Sequence, residues 1–149
     1  MKKCTLGLGC FWKPEENFKN KPGIIDTEVG YAGGTNPNVT YKEVCGGSTG
    51  HAEVVRLTFD DKVISFKKIL DLFFKMHDPT QKDMQFPDVG TQYRSEIFYE
   101  TNEQKKEAEE TLNEKNSQFH GKIQTNISKV KNYCKAKECH QRYIEKNKR

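Results

Sequence analysis

Hydrophobic and polar positions change period several times along this chain, and each change marks an element. The short apolar run Thr5-Leu6-Gly7-Leu8-Gly9 predicts a strand over 3–9. Residues 11–20 follow as a helix with Pro14 in its first turn, where a missing N–H is harmless, and Lys21-Pro22-Gly23 stops it. Ile24 to Tyr31 reads as a second strand, closed by Gly33-Gly34. Val54, Arg56 and Thr58 alternate with Val55, Leu57 and Phe59, which makes Ala52 to Phe59 a half-buried strand. Ser65 can cap the next helix, whose apolar positions Ile69, Leu70, Phe73, Phe74 and Met76, with Leu72, cover a broad face. Ser95 to Tyr99 is a short strand, and 101–118 is strongly helical with Thr101 and Gln104 in capping-box positions. Ile123, Thr125 and Ile127 alternate as an edge-like strand, and 137–147 is predicted as a C-terminal helix.

The first six elements read β-α-β-β-α-β. That is the order of a split-βαβ, ferredoxin-like α/β plait, here with an appended helix, strand and C-terminal helix. The expectation is therefore an α+β fold in one domain, residues 1–149, long enough to bury a core. Two stretches, 35–50 and 77–94, have no period. Loops this long inside a compact domain are usually functional or disordered, and both are expected to converge on one end of the sheet.

Composition excludes more than it assigns. The net charge is +4, and its excess lies in stretches such as Lys105-Lys106 and Lys146-Asn147-Lys148-Arg149. No basic run is interleaved with aromatics, so these read as solvated faces and not as a nucleic-acid footprint. No apolar run approaches the ~20 residues of a spanning helix, and the stretch after Met1-Lys2-Lys3 is too short and Gly-broken for a signal peptide. A cytoplasmic protein is expected. The five cysteines, Cys4, Cys10, Cys45, Cys134 and Cys139, are odd in number and show no Cys-x-x-Cys spacing, which argues against a disulfide framework. Cys134, Cys139 and His140 lack a second matching zinc knuckle.

Chemistry concentrates at Gly9-Cys10-Phe11-Trp12. Strand, turn and helix place the Cys10 thiol at a helix N-terminus, where free N–H groups and the macrodipole favour a thiolate. Phe11 and Trp12 supply apolar walls for a substrate. The same pattern also fits a small core cysteine among core aromatics. The first loop holds Tyr41 and leads to Glu53, whose carboxyl, at the start of an apolar strand, is either paired with a cation or kept protonated by a raised pKa. The second loop carries Asp88, Tyr93 and Arg94 within a few residues.

Taken together, these segments resemble the peptide methionine sulfoxide reductases of the A class. The resemblance runs through Gly9-Cys10-Phe11-Trp12, Val29-Gly30-Tyr31-Ala32-Gly33-Gly34, Tyr41-Lys42-Glu43-Val44-Cys45 and Thr49-Gly50-His51-Ala52-Glu53-Val54-Val55. It continues in His77-Asp78-Pro79-Thr80-Gln81, residues 87–99 and His140-Gln141, and so covers nearly the whole chain. It implies a plait-like α/β fold and reduction of methionine S-sulfoxide, free or in proteins, as repair after oxidative stress.

On the matching positions the resemblance makes Cys10 the nucleophile and Glu53 the acid. Tyr41 and Tyr93 hydrogen-bond the sulfoxide oxygen, Asp88 organises polar contacts, and Phe11 and Trp12 hold the methyl. It also implies a sulfenic acid on Cys10, a disulfide, and recycling by thioredoxin or a similar dithiol, with no metal or other cofactor. Physical need agrees: sulfoxide sulfur calls for a soft nucleophile, and its oxygen leaves only when protonated.

Cys4 reads as strand packing and Cys45 as mainly structural. Many family members carry resolving cysteines in a Gly-rich tail, which this sequence does not show up to Arg149. Cys139 and Cys134 are the candidate resolving thiols, Cys139 slightly favoured. Lys13, Phe86 and Cys139 depart from the family pattern and bear on the substrate rim and the recycling step. A peroxide reductase would also use a low-pKa cysteine but would need neither an acid nor a methyl pocket. A metal- or nucleic-acid-binding module is the non-enzymatic alternative.

Overall fold

A computed structural model describes residues 2–36, 38–47 and 49–146. Along the chain lie β1 (Lys2–Leu8), α1 (Trp12–Lys19), β2 (Ile24–Ala32), α2 (Tyr41–Cys45), β3 (Ala52–Phe59) and α3 (Phe66–Met76). The short β4 (Met84–Gln85) and β5 (Asp88–Val89) come next, then β6 (Ser95–Tyr99), α4 (Asn102–Gln118), β7 (Asn126–Lys129), β8 (Cys134–Lys135) and α5 (Tyr143–Lys146). Six strands form one mixed sheet in the order β7-β6-β1-β3-β2-β8. Its four central strands are antiparallel throughout, while β7 joins β6 in parallel.

Burial follows the period of each segment. α3 buries Phe66, Ile69, Leu70, Phe73 and Phe74, the spacing of one helical face, and its cap Ser65 accepts from the Lys68 N–H at 3.0 Å. β1 and β3 contribute Leu6, Val55, Leu57 and Phe59, all nearly inaccessible. α4 buries only Gln104, Ala108 and Thr111, and it is tied to α3 by Lys67–Glu114 and Lys115–Asp71 ion pairs. Thr101 caps α4 as expected, but the box is not closed. Gln104 accepts from the Glu100 N–H instead and donates to the Lys3 carbonyl at 2.7 Å, which pins α4 to β1.

The departures from the sequence reading are local. The stretch 35–50 contains α2, opened by a capping box in which Thr40 accepts from Glu43 N–H and Glu43 accepts from Thr40 N–H. The stretch 77–94 folds into the β4–β5 hairpin and a 3₁₀ turn, Thr91–Tyr93. The edge strand begins at Asn126 and not at 123, because Gln124 N–H donates to the Pro79 carbonyl and register with β6 starts at Glu96.

The continuous helix expected over 137–147 is absent among the described residues; Asn147 lies outside them, as do the last two residues of the Lys-rich tail. In its place are a 3₁₀ turn, Glu138–His140, and the single turn α5. Gln141 is the reason. Its side chain accepts from Val29 N–H and donates to the Val29 carbonyl, both at 2.8 Å, docking against the β2 backbone as a strand would. Arg142 then turns at φ +49, which breaks any helix. No helix among the described residues is long and apolar enough to cross a membrane.

Candidate active site

β1 ends at Gly9, whose φ of +96 reverses the chain toward α1 in a conformation that L side chains rarely adopt. A Cβ there would also press to 3.0 Å from Gln85. This elbow sets the half-buried Cys10 at the mouth of α1, in a cleft of about 170 Å³ also lined by Lys13, Met76, Phe86 and Asp88. A larger cavity, about 300 Å³, lies elsewhere against Lys3, Glu100 and Gln104, with no thiol in its wall.

The N-terminal geometry expected for Cys10 is present, since the Trp12 N–H bonds to its sulfur and lowers its pKa. Burial outweighs it. Desolvation, with the charges of Glu53 and Asp88 adding, pushes the Cys10 thiol up to about 12, so the resting side chain is a thiol and not the expected thiolate.

Glu53 enters from β3, directly across from Tyr31 of β2, and is 1% exposed. Among the described residues no cation pairs with it. Its Oε1 accepts from the Phe11 N–H at 3.3 Å, while Oε2 is buried with no partner. Burial pushes this carboxyl up to about 7, against the pull of the Phe11 N–H and the Cys10 thiol and with a further rise from Asp88. Of the two alternatives open in the sequence, the structure takes the raised pKa.

Aromatic rings wall the space. Tyr41, the first residue of α2, stacks on Phe11 and on Trp12, each with centroids 6.3 Å apart. Trp12 is in turn covered by Tyr143 at 3.9 Å. Tyr93 ends its 3₁₀ turn within electrostatic reach of Glu53, Cys45, Asp88 and Cys10, and burial holds both its hydroxyl and that of Tyr41 well above the usual phenol range. Cys10, Phe11, Trp12, Tyr41, Glu53, Asp88 and Tyr93 thus meet at one end of the sheet.

The two loops converge there, tied by side chains. Gln92 Nε2 donates to the Cys45 carbonyl at 3.2 Å. Arg94 donates to the carbonyls of Gly50 and Thr91 at 3.0 and 2.9 Å and pairs with Glu96 at 2.6 Å. The guanidinium is therefore a clamp between loops.

The candidate resolving thiols are placed less centrally. Cys139 is exposed, and the half-buried Cys134 donates to the Val39 carbonyl at 3.5 Å. Among the described residues no three His, Cys, Asp or Glu side chains gather as a metal ion would need. Three groups at the site were named in the sequence reading but not assigned to the site. The His140 and Tyr41 ring centroids are 4.4 Å apart, Tyr31 has a buried hydroxyl without a hydrogen-bond partner among the described residues, and Cys45 lies beside Tyr41. Strand alternation signals Tyr31, and Cys45 follows from the Thr40–Glu43 capping box, whose helix sets it one turn beyond Tyr41.

Comparison with known proteins points the same way. A family model for peptide methionine sulfoxide reductase matches residues 2–149. The peptide methionine sulfoxide reductase MsrA of Pelagibacter ubique is 56% identical over 98% of this chain and 99% of its own. The reduced form of Mxr1 from Saccharomyces cerevisiae superposes with a TM-score of 0.92 at 41% identity, over 98% of this chain and 85% of that one. Mxr1 in complex with Trx2 matches with a TM-score of 0.68 at 29% identity, over 95% and 84%.

Proposed function

Because the chain belongs to the peptide methionine sulfoxide reductase family, we propose that this oxidoreductase reduces methionine S-sulfoxide, free or in proteins, through Cys10 and Glu53. The observation that carries the reading is the pairing of a half-buried thiol with a buried carboxyl whose Oε2 has no hydrogen-bond partner among the described residues. A carboxyl with a pKa of about 7 is a proton donor matched to neutral pH, and its unpartnered Oε2 is left to serve an incoming acceptor.

In the proposed sequence, the substrate methyl lies against Phe11 and Trp12, and the sulfoxide oxygen accepts from the hydroxyls of Tyr41 and Tyr93. Both phenols stay protonated because of their raised pKa. Cys10 sulfur attacks the sulfoxide sulfur while Glu53 protonates the oxygen, and the thiol proton returns to Glu53. The S–O bond breaks as oxygen passes to Cys10. Methionine leaves with its sulfur reduced by two electrons, and Cys10 is left as a sulfenic acid. Asp88 raises the pKa of both reacting groups and so keeps the protons on them until substrate arrives.

A thiol then condenses with the sulfenic acid, and a dithiol reductant of thioredoxin type restores the enzyme. The complex of the yeast relative with Trx2 supports that partner. We read residues 1–149 as one catalytic domain. Its four central strands are read as a ferredoxin-like plait, supported by their antiparallel order β6-β1-β3-β2.

The test is production of methionine by the wild type and by Cys10→Ser, with hydrogen peroxide as a competing oxidant. The serine hydroxyl is a hard, weak nucleophile toward sulfur and cannot become a sulfenic acid, so essentially all reduction should be lost with the fold intact. Comparable activity in Cys10→Ser, or preference for peroxide over methionine sulfoxide, would end the proposal.

A further inference from the structure

We infer that Cys45 is the resolving thiol, attacking the Cys10 sulfenic acid to form a Cys10–Cys45 disulfide. The inference rests on the reductase reading and adds its second half.

The geometry begins with α2. Tyr41 and Cys45 are four residues apart and share one face of that helix, and the Cys45 thiol acts on the Tyr41 hydroxyl. The Tyr41 ring lies on Phe11, the neighbour of Cys10. A thiol on that face therefore belongs to the wall where the substrate oxygen is held, and that oxygen is the one Cys10 carries after the first step. Cys45 and Cys10 are within electrostatic reach of each other, and Cys45 also acts on Tyr31 and Tyr93. Glu53 and Tyr31 are cross-strand neighbours on β3 and β2, and the Oε2 of one and the hydroxyl of the other are buried without a hydrogen-bond partner among the described residues.

The other two candidates lack this placement. Successive side chains of a 3₁₀ turn diverge by roughly 120°, so with His140 packed on Tyr41 the neighbouring Cys139 points outward, as its exposure shows. Cys134 is held by Val39 on the far side of Tyr31, its cross-strand partner. Cys45, by contrast, is followed by Gly46 and Gly47. Gly47 has φ +77, and its nearest neighbour to an added Cβ is 3.9 Å away, so the end of α2 has room to carry the thiol forward.

The step balances. The Cys45 sulfur displaces hydroxide from the Cys10 sulfur, Glu53 or Tyr41 protonates that oxygen, and water leaves. The S–O bond breaks as the S–S bond forms, the Cys45 proton refills the donor, and Cys45 is oxidised while Cys10 sulfur is reduced from sulfenic to disulfide.

The experiment uses the full chain, reduced and freed of small thiols, treated with one equivalent of methionine S-sulfoxide. Free thiols are counted and disulfides mapped without reduction. Thiols should fall by two per methionine released, from the five of the free enzyme, and Cys10 should be linked to Cys45. Cys45→Ser should release one burst of methionine, accumulate a Cys10 sulfenic acid trapped by a dimedone probe, and lose at least about tenfold in thioredoxin-driven turnover. A Cys10 disulfide to Cys134 or Cys139 in the wild type overturns the assignment. So does wild-type thioredoxin turnover in Cys45→Ser. Failure of the wild type to release methionine at all would instead overturn the reductase reading, and the inference with it; the two failures are told apart by the methionine burst.

Discussion

Replacing Glu53 by glutamine should slow the enzyme and make the fold more tolerant of alkaline pH, and one buried proton causes both effects. Glutamine keeps the shape and can still accept from the Phe11 N–H, but it transfers no proton. Loss of a general acid lowers the reductive step by ~10²–10⁴-fold, a barrier increase of about 3–5 kcal/mol. The stability effect follows from the carboxyl, raised by burial from 4.5 to about 7. A carboxyl with a raised folded-state pKa favours the fold fully below its unfolded value, and that advantage is lost as pH rises through the folded one. For Glu53 the window is 4.5 to 7, and the loss on crossing it is roughly 3 kcal/mol.

Urea unfolding of the wild type and Glu53→Gln at pH 4.5, 6, 7.5 and 9 measures it. The difference between the two should shift toward the variant by that amount and then flatten. Taking the difference removes other titrations, including the opposite one of His77. Single-turnover release of methionine by the wild type should fall as pH rises through about 7, with no such inflection in the variant. A stability difference that does not change with pH would refute the buried-proton argument, and wild-type single-turnover rates in Glu53→Gln would show that another group supplies the proton.

Three further outcomes are expected. Trp12→Ala should lower kcat/KM for methionine sulfoxide by about 10–200-fold, since one apolar wall against a methyl is worth ~1–3 kcal/mol; an unchanged value would leave Trp12 a packing residue under Tyr143. Gly34→Ala should destabilise the protein by more than about 2 kcal/mol in urea, because its Cβ would fall 2.1 Å from His51 Nδ1 and 2.2 Å from the Thr49 carbonyl; a loss below half of that would show the loop can yield. His77 donates from Nδ1 to the Phe73 carbonyl, accepts from Ser95 at Nε2, and is pushed by burial down to about 4. Its contribution to stability is complete above its ordinary 6.5 and is lost as pH falls toward 4, and NMR titration of its ring should show a midpoint near 4, not above 6.

Much of this protein was determined by local pattern. Alternation in Ala52–Phe59, the 3–4 spacing of α3, and the Ser65 and Thr101 caps are decided within a turn or a strand, and they stand where the residues put them. So is the placement of Cys10 at a helix mouth, because Gly9 makes the elbow. What tertiary structure decided is what depends on residues far apart in the chain. Gln141 spends its amide on the backbone of Val29, 112 positions away, and so dissolves a helix that 137–147 could have formed alone. The α2 helix and the Gln92 and Arg94 clamps turn two aperiodic stretches into one wall.

The chemistry of Cys10 divides along the same line. A helix N-terminus lowers a thiol's pKa through N–H groups one or two residues away, and sequence shows it. Burial and the charges of Glu53 and Asp88 raise it further than that. Those forces come through space, from strands and a hairpin whose distance to Cys10 no local pattern encodes, and so only the assembled fold could set the protons in this site.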